Sequence, residues 1–138
     1  MTVGTPIDPG WKWDDEYPLA QGIAIEIGKL LFISGQIAMD PNGDLVGEGD
    51  VREQTRQIFK NLEEILRKKN CKLNNIVRIT AYLTDAALFK KYDEVRKEVL
   101  QDNRPTSTTV VVSGLVLKGL LVEVDAIAVI ERRGEHKQ

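Results

Sequence analysis

Two periods of hydrophobic positions run along this chain. Between residues 51 and 69 the apolar side chains Val51, Ile58, Leu62, Ile65 and Leu66 keep the three-and-four spacing of one helical stripe. Asp50, with Glu53 three residues later, reads as a capping box at its start. Asn70 stands where a helix ends in the left-handed conformation, which Asn tolerates better than most residues. A second stripe, Leu88, Tyr92, Val95 and Val99, predicts a helix over 86–101 that Asn103-Arg104-Pro105 stops.

Between the helices the period changes to two. Val77, Ile79, Ala81 and Leu83 alternate with Arg78, Thr80 and Tyr82, as in a half-buried strand over 76–84. Segments 21–27 and 29–34, rich in Ile around Gly28, read as a hairpin. Asp40-Pro41-Asn42-Gly43 is a turn leading to a short strand at 44–46. Strands over 107–112 and 120–130 complete an order β-β-α-β-α-β-β, an α+β fold with both helices on one face of a single mixed sheet. On the last strand Val122, Val124, Ala126 and Ala128 lie opposite Leu121, Ile127 and Val129, so both faces carry apolar surface. Two helices cover one face only. The other predicts an oligomer that packs the uncovered faces together.

With 138 residues, 42% of them hydrophobic, the chain fits one domain, with an irregular start over 1–16 and a polar tail over 132–138. Its 19 basic and 21 acidic residues leave a net charge of -2, which offers no electrostatic footprint for nucleic acid. The apolar run 119–130 is broken by Glu123 and Asp125 and is too short to span a bilayer. No secretory signal opens the sequence, so a cytoplasmic location without a membrane partner is expected. One cysteine, Cys71, and one histidine, His136 in the tail, supply neither a nucleophile dyad nor a zinc ligand set. Glycine-rich phosphate motifs are missing as well. Neither metal nor cofactor is expected, and any chemistry must use carboxylates, hydroxyls, arginines and backbone amides.

Several positions could carry it. Glu123 and Asp125, two apart on one strand and roughly 7 Å apart at Cα, face the uncovered side, where one could act as general acid or base or simply meet solvent or Arg78. Ser34-Gly35-Gln36 ends a strand with backbone NH groups that could face a ligand, or is an ordinary turn. The run Pro105 to Thr109 offers hydroxyls, although Thr also favours strands. Trp11, Trp13 and Tyr17 could line a pocket or, as the safer reading, anchor a subunit interface. Cys71 reads as a packing residue.

Gly28 to Gln36 (GKLLFISGQ), Gln54-Thr55 with Asn61-Leu62, Val77 to Asp85 (VRITAYLTD), Arg104-Pro105 and Val122 to Ala128 (VEVDAIA) together resemble the YjgF/Rid family, also called L-PSP endoribonucleases or translation inhibitors. The resemblance spans about 21–130. It implies a chorismate-mutase-like α+β subunit in a homotrimer with small-molecule pockets at the subunit interfaces. Family members hydrolyse reactive enamines and imines such as 2-aminoacrylate, with a strand glutamate linked to the attacking water and an arginine of a Pro-Ala-Arg-Ser motif gripping the substrate carboxylate. Glu123 matches the glutamate, and Ser34 and Gly35 match the strand end that lines the pocket. Ser107 stands at the arginine position. The family's pocket tyrosine aligns with Gln21, with Tyr17 able to fill the same space, and its helix asparagine becomes Asp93.

A serine cannot make a charged bidentate clamp. The resemblance, with this departure, implies a hydrolase of a small enamine or imine in which Glu123 positions water and Ser107 or Thr109 contacts a neutral or cationic substrate, with 2-aminoacrylate a poor one. The alternative is a non-catalytic trimer that binds a metabolite as a regulator or chaperone-like partner. Endoribonuclease activity rests on the family label alone, and the charge balance speaks against it.

Overall fold

A computed structural model describes residues 3–26 and 28–131; the expected strand end at Ile27 and the tail with His136 lie outside them. The first stripe forms helix α1 (Val51–Arg67), and the second forms α2 (Phe89–Leu100), entered through a 3-10 turn over Ala86–Leu88. Asp50 caps α1 by accepting from the backbone N–H of Arg52 and Glu53. Asn70, with φ of 57°, takes the left-handed conformation that its position past the helix end calls for.

The strands are β1 (Thr5–Ile7), β2 (Gly22–Ala24), β3 (Lys29–Gln36), β4 (Ile76–Leu83), β5 (Thr106–Val111) and β6 (Val122–Ile130). The last four make one sheet in the order β3-β6-β4-β5, with β6 antiparallel to both neighbours and β4 parallel to β5. Both helices pack on one face, giving the expected α+β architecture. The buried side of β6 is Val122, Val124, Ala126 and Ala128, and Ile33, Ile79, Ala81 and Leu83 join it against Ile58, Phe59, Leu62 and Leu66 of α1. Exposed ion pairs Arg52–Glu94 (2.8 Å) and Arg56–Glu98 (3.3 Å) bridge the two helices. Such pairs are each worth well under ~1 kcal/mol, so packing, not charge, fixes the helix pair.

Two expectations change. The hairpin around Gly28 does not form: β2 pairs with β1, and β3 pairs with β6. The expected irregular start therefore contributes a strand of its own. The physical reason is register, because β3 must turn Leu31 and Ile33 toward the helices, and the nine-residue β6 offers the matching alternation. The segment after the Pro41 turn forms only a single bridge, Met39 to Leu45, instead of a strand.

The loop between β5 and β6 is held by one side chain. Gln54, fully buried on α1, donates through Nε2 to the carbonyls of Gly47 (3.1 Å) and Gly119 (2.9 Å) and accepts from Leu121 N–H (2.8 Å). Asn61, farther along the same helix, donates to the carbonyls of Ile37 and Met39. These amides anchor the chain leaving β3 and entering β6, the two strands that carry Glu123 and its neighbours.

Candidate functional site

The face away from the helices is uncovered among the described residues. It presents Leu30 (58% exposed) and Phe32 (69% exposed) on β3 and Val110 on β5, with Arg78, Thr80 and Tyr82 on β4 and Glu123, Asp125 and Ile127 on β6. Clustered apolar side chains of this size are more typical of interaction surfaces than of a solvated sheet face.

Glu123 sits where this face meets a break in the β3–β6 ladder. Ile33 pairs with Ala126 and Gln36 with Val124, so three steps along β3 match two along β6, a β-bulge at Ser34-Gly35. The bulge lets Glu123 lie over Gly35: a Cβ at Gly35 would stand 2.1 Å from Glu123 Oε2. No other residue type leaves that space. The half-buried carboxylate makes no hydrogen bond or ion pair with the described residues, and its acceptor capacity is open.

Its neighbour Asp125 is engaged. Tyr82, directly opposite Glu123 in the β4–β6 register, donates its O–H to Asp125 Oδ2 at 2.8 Å. That bond first, and partial burial second, raise the Tyr82 phenol above its ordinary value. Arg78, on the same face, donates to Thr108 Oγ1 at 3.2 Å and forms no ion pair with the described residues.

The other candidates lie elsewhere. Ser107 pairs with Ile79 and Thr109 with Ala81, which turns both toward the helix side of the sheet. β4 separates β5 from β6, and Ser107 is in line with Ala126, three residues along β6 from Glu123, so Glu123 and Ser107 are roughly 14 Å apart and on opposite faces. Ser107 meets helix α2: Arg96 Nη1 donates to its Oγ at 2.8 Å. Arg96 is 1% exposed, and its Nε and Nη2 donate to Asp93 Oδ1 at 3.2 and 2.7 Å. Asp93 is thus the buried counter-ion of Arg96, with Lys97 Nζ at 3.5 Å from its other oxygen. The rings of Phe89 and Tyr92 flank the guanidinium at 5.9 and 5.3 Å. Nothing in the residue spacing announces this cluster, because Arg96 reads as an ordinary charged position on a helix.

Tyr17 and Gln21 stand by the start of β5. The Tyr17 carbonyl accepts from Arg104 Nη2, and Ala20 N–H donates to the Pro105 carbonyl at 3.0 Å. Trp11 and Trp13 stack at 5.3 Å, and Tyr17 meets Trp13 edge-on at 6.4 Å. A cavity of about 650 Å³ lies beside them, lined by Trp11, Lys12, Asp15, Gln21 and Arg104 among others; Gln21 is on it and Glu123 is not. Among the described residues no cluster of three or more His, Cys, Asp or Glu could hold a metal ion, and no helix is long and apolar enough to cross a membrane.

The predicted residues therefore fall into two groups at opposite edges of one sheet. Ser34, Gly35 and Glu123 gather at the β3 edge, while Ser107, Thr109, Tyr17 and Gln21 lie at or near the β5 edge with Asp93 behind it.

Comparison with known proteins gives consistent results. The model of the family described as Endoribonuclease L-PSP matches residues 16–130. A RutC family protein of Pyrococcus horikoshii is 40% identical over 105 residues, 76% of this chain and 82% of the relative. The 2-iminobutanoate/2-iminopropanoate deaminase of Rattus norvegicus is 37% identical over 106 residues, 77% of each chain. In structure, YyfB of Yersinia pestis, a protein of the conserved Rid family, superposes with a TM-score of 0.80 over 94% of this chain and 97% of its own at 24% identity, a likeness of fold.

Proposed function

The chain belongs to the YjgF/Rid family, whose model carries the name Endoribonuclease L-PSP, and we propose that it hydrolyses a small enamine or imine at a pocket built between copies of itself. Glu123 carries this reading. A half-buried carboxylate with open acceptor positions, beside the backbone of a bulge, is suited to hold and deprotonate a water. The water adds to the carbon of the C=N bond, and its proton passes through Glu123 to nitrogen. The resulting carbinolamine then releases ammonia and leaves a carbonyl, while an enamine first takes a proton at carbon to become the imine. A curated relative bears the name of such an imine deaminase.

The division of the candidates between two sheet edges supports a site shared by copies. A joint that brings the β3 side of one copy to the β5 edge of the next, with the uncovered faces turned inward, would bring Glu123 and Gly35 of one copy near Ser107 and Thr109 of the other, which a single copy keeps apart on opposite faces. A head-to-tail contact of that kind gives a ring when its rotation closes, and the resemblance to the family implies a trimer. Burial of Leu30 and Phe32 would drive it.

Ser107 in place of a clamping arginine makes 2-aminoacrylate a poor substrate and favours an imine that needs no charged grip. The same feature favours the second reading, a trimer that binds a metabolite without turnover. Ammonia release from a panel of imines generated in the assay, with Glu123→Ala as control, decides between them. Loss of at least a hundredfold in kcat/KM in the variant supports hydrolysis, whereas thermal stabilisation by a ligand with no Glu123-dependent turnover supports the binding reading.

A further inference from the structure

Arg96 is a fully buried guanidinium on α2 that reaches the back of an edge strand, where a charge is costly to keep. Asp93 answers its charge, and the rings of Phe89 and Tyr92 line it, yet one of its N–H groups is directed at Ser107 Oγ, at 2.8 Å. That bond has a consequence for Ser107. A hydroxyl carries one donor and two acceptor positions. Arg96 occupies an acceptor position, and the Ser107 O–H has no acceptor among the described residues. Ser107 is only half-buried, so this open donor sits where the β5 edge is accessible.

We propose that Arg96 is a positioning residue of the β5 half of the site: by donating into Ser107 Oγ from behind, it aims the Ser107 proton outward and strengthens it as a donor to a single carbonyl or carboxylate oxygen of a bound ligand. Hydrogen bonds in a chain polarise one another, and an Arg donor is charged at every working pH. The charged groups around the hydroxyl are Arg96 and, farther back, Asp93 and Lys97, so the nearest charge the ligand oxygen senses is positive. The contact differs from an arginine clamp, since one polarised hydroxyl grips one oxygen. The ligand class is a small molecule with an accessible oxygen acceptor. This rests on the reading that ligand occupies the β5 edge, but not on the hydrolytic step.

The test uses acetate as probe, followed by backbone amide NMR shifts at residues 106–109 of the full chain. Ser107→Ala should weaken acetate about fivefold to tenfold, the loss of one hydrogen bond, and Ser107→Thr should restore it. The double variant Arg96→Met/Asp93→Leu keeps Ser107 and replaces the buried pair by apolar side chains, an exchange that folds commonly tolerate. It should weaken acetate as much as Ser107→Ala does, and adding Ser107→Ala to it should cost less than a further twofold. If that variant does not fold, Arg96→Lys decides in the same way, with at least a threefold loss expected. Wild-type affinity in the folded variant, or no saturable shift at Ser107 in the wild type, overturns the proposal. Acetate binding involves no turnover, so failure to hydrolyse imines would sink the proposed reaction and leave this result standing.

Discussion

Glu123 Oε2 occupies the space in which any side chain at position 35 would begin. A Cβ on Gly35 would stand 2.1 Å from that oxygen and 2.9 Å from the carboxylate carbon. The clash is with the far end of a flexible side chain, so Gly35→Ala should move Glu123 and leave the fold almost untouched. We expect a stability loss below about 1 kcal/mol in urea denaturation, with a loss of activity on the order of a hundredfold, since misplacing a catalytic group by about 1 Å has that effect. Equal losses in both measurements would mean that the bulge is structural only.

Phe32 and Leu30 leave a large apolar surface on the uncovered face. Phe32→Lys places a charge in the middle of it. Sedimentation at micromolar concentration should show the wild type as an oligomer and this variant shifted toward 15.5 kDa monomer. A monomeric wild type would remove the shared site.

Gln54 satisfies three backbone groups at once, the carbonyls of Gly47 and Gly119 and the N–H of Leu121. Gln54→Leu keeps the volume and removes all three bonds, at about 0.5 to 1.5 kcal/mol apiece. A destabilisation of about 3 kcal/mol is expected from the urea midpoint. Activity should fall with it, because the loop it holds leads directly into Glu123.

Alkaline pH provides a separate check. Burial pushes the Tyr92 phenol up to about 12, and the bond to Asp125 raises Tyr82. The folded state holds these protons more tightly than the unfolded chain, whose phenols titrate near ~10. Stability from this source is therefore complete below about pH 10 and is lost as pH rises through about 10 to 12. The urea midpoint should fall across that window. Tyr92→Phe, which removes a buried hydroxyl with no hydrogen-bond partner among the described residues, should fall less steeply and lose little at neutral pH.

Helix positions, the cap at Asp50, the left-handed Asn70 and the two faces of β6 were legible in the residue pattern, because each depends on neighbours a few residues away. The hairpin failed for the opposite reason. Strand pairing is a choice among distant partners, and both β2 and β3 found better ones than each other. The same limit governs the site. Position 107 could be read as a serine where the family has an arginine, yet a linear chain gives no sign that Arg96, eleven residues earlier on a helix, would lie 2.8 Å behind it.

By itself, then, the sequence determined the α+β class, which strand is apolar on both faces, and which residue types were available for chemistry, since alternation and composition are local properties. Only the tertiary structure decided that Glu123 rests in a gap left by Gly35, that Asp93 neutralises a buried arginine, and that the candidate residues divide between two edges of one sheet. Those facts arise from the bulge, the strand order and the packing of α2, contacts between segments far apart in the chain that no local period encodes.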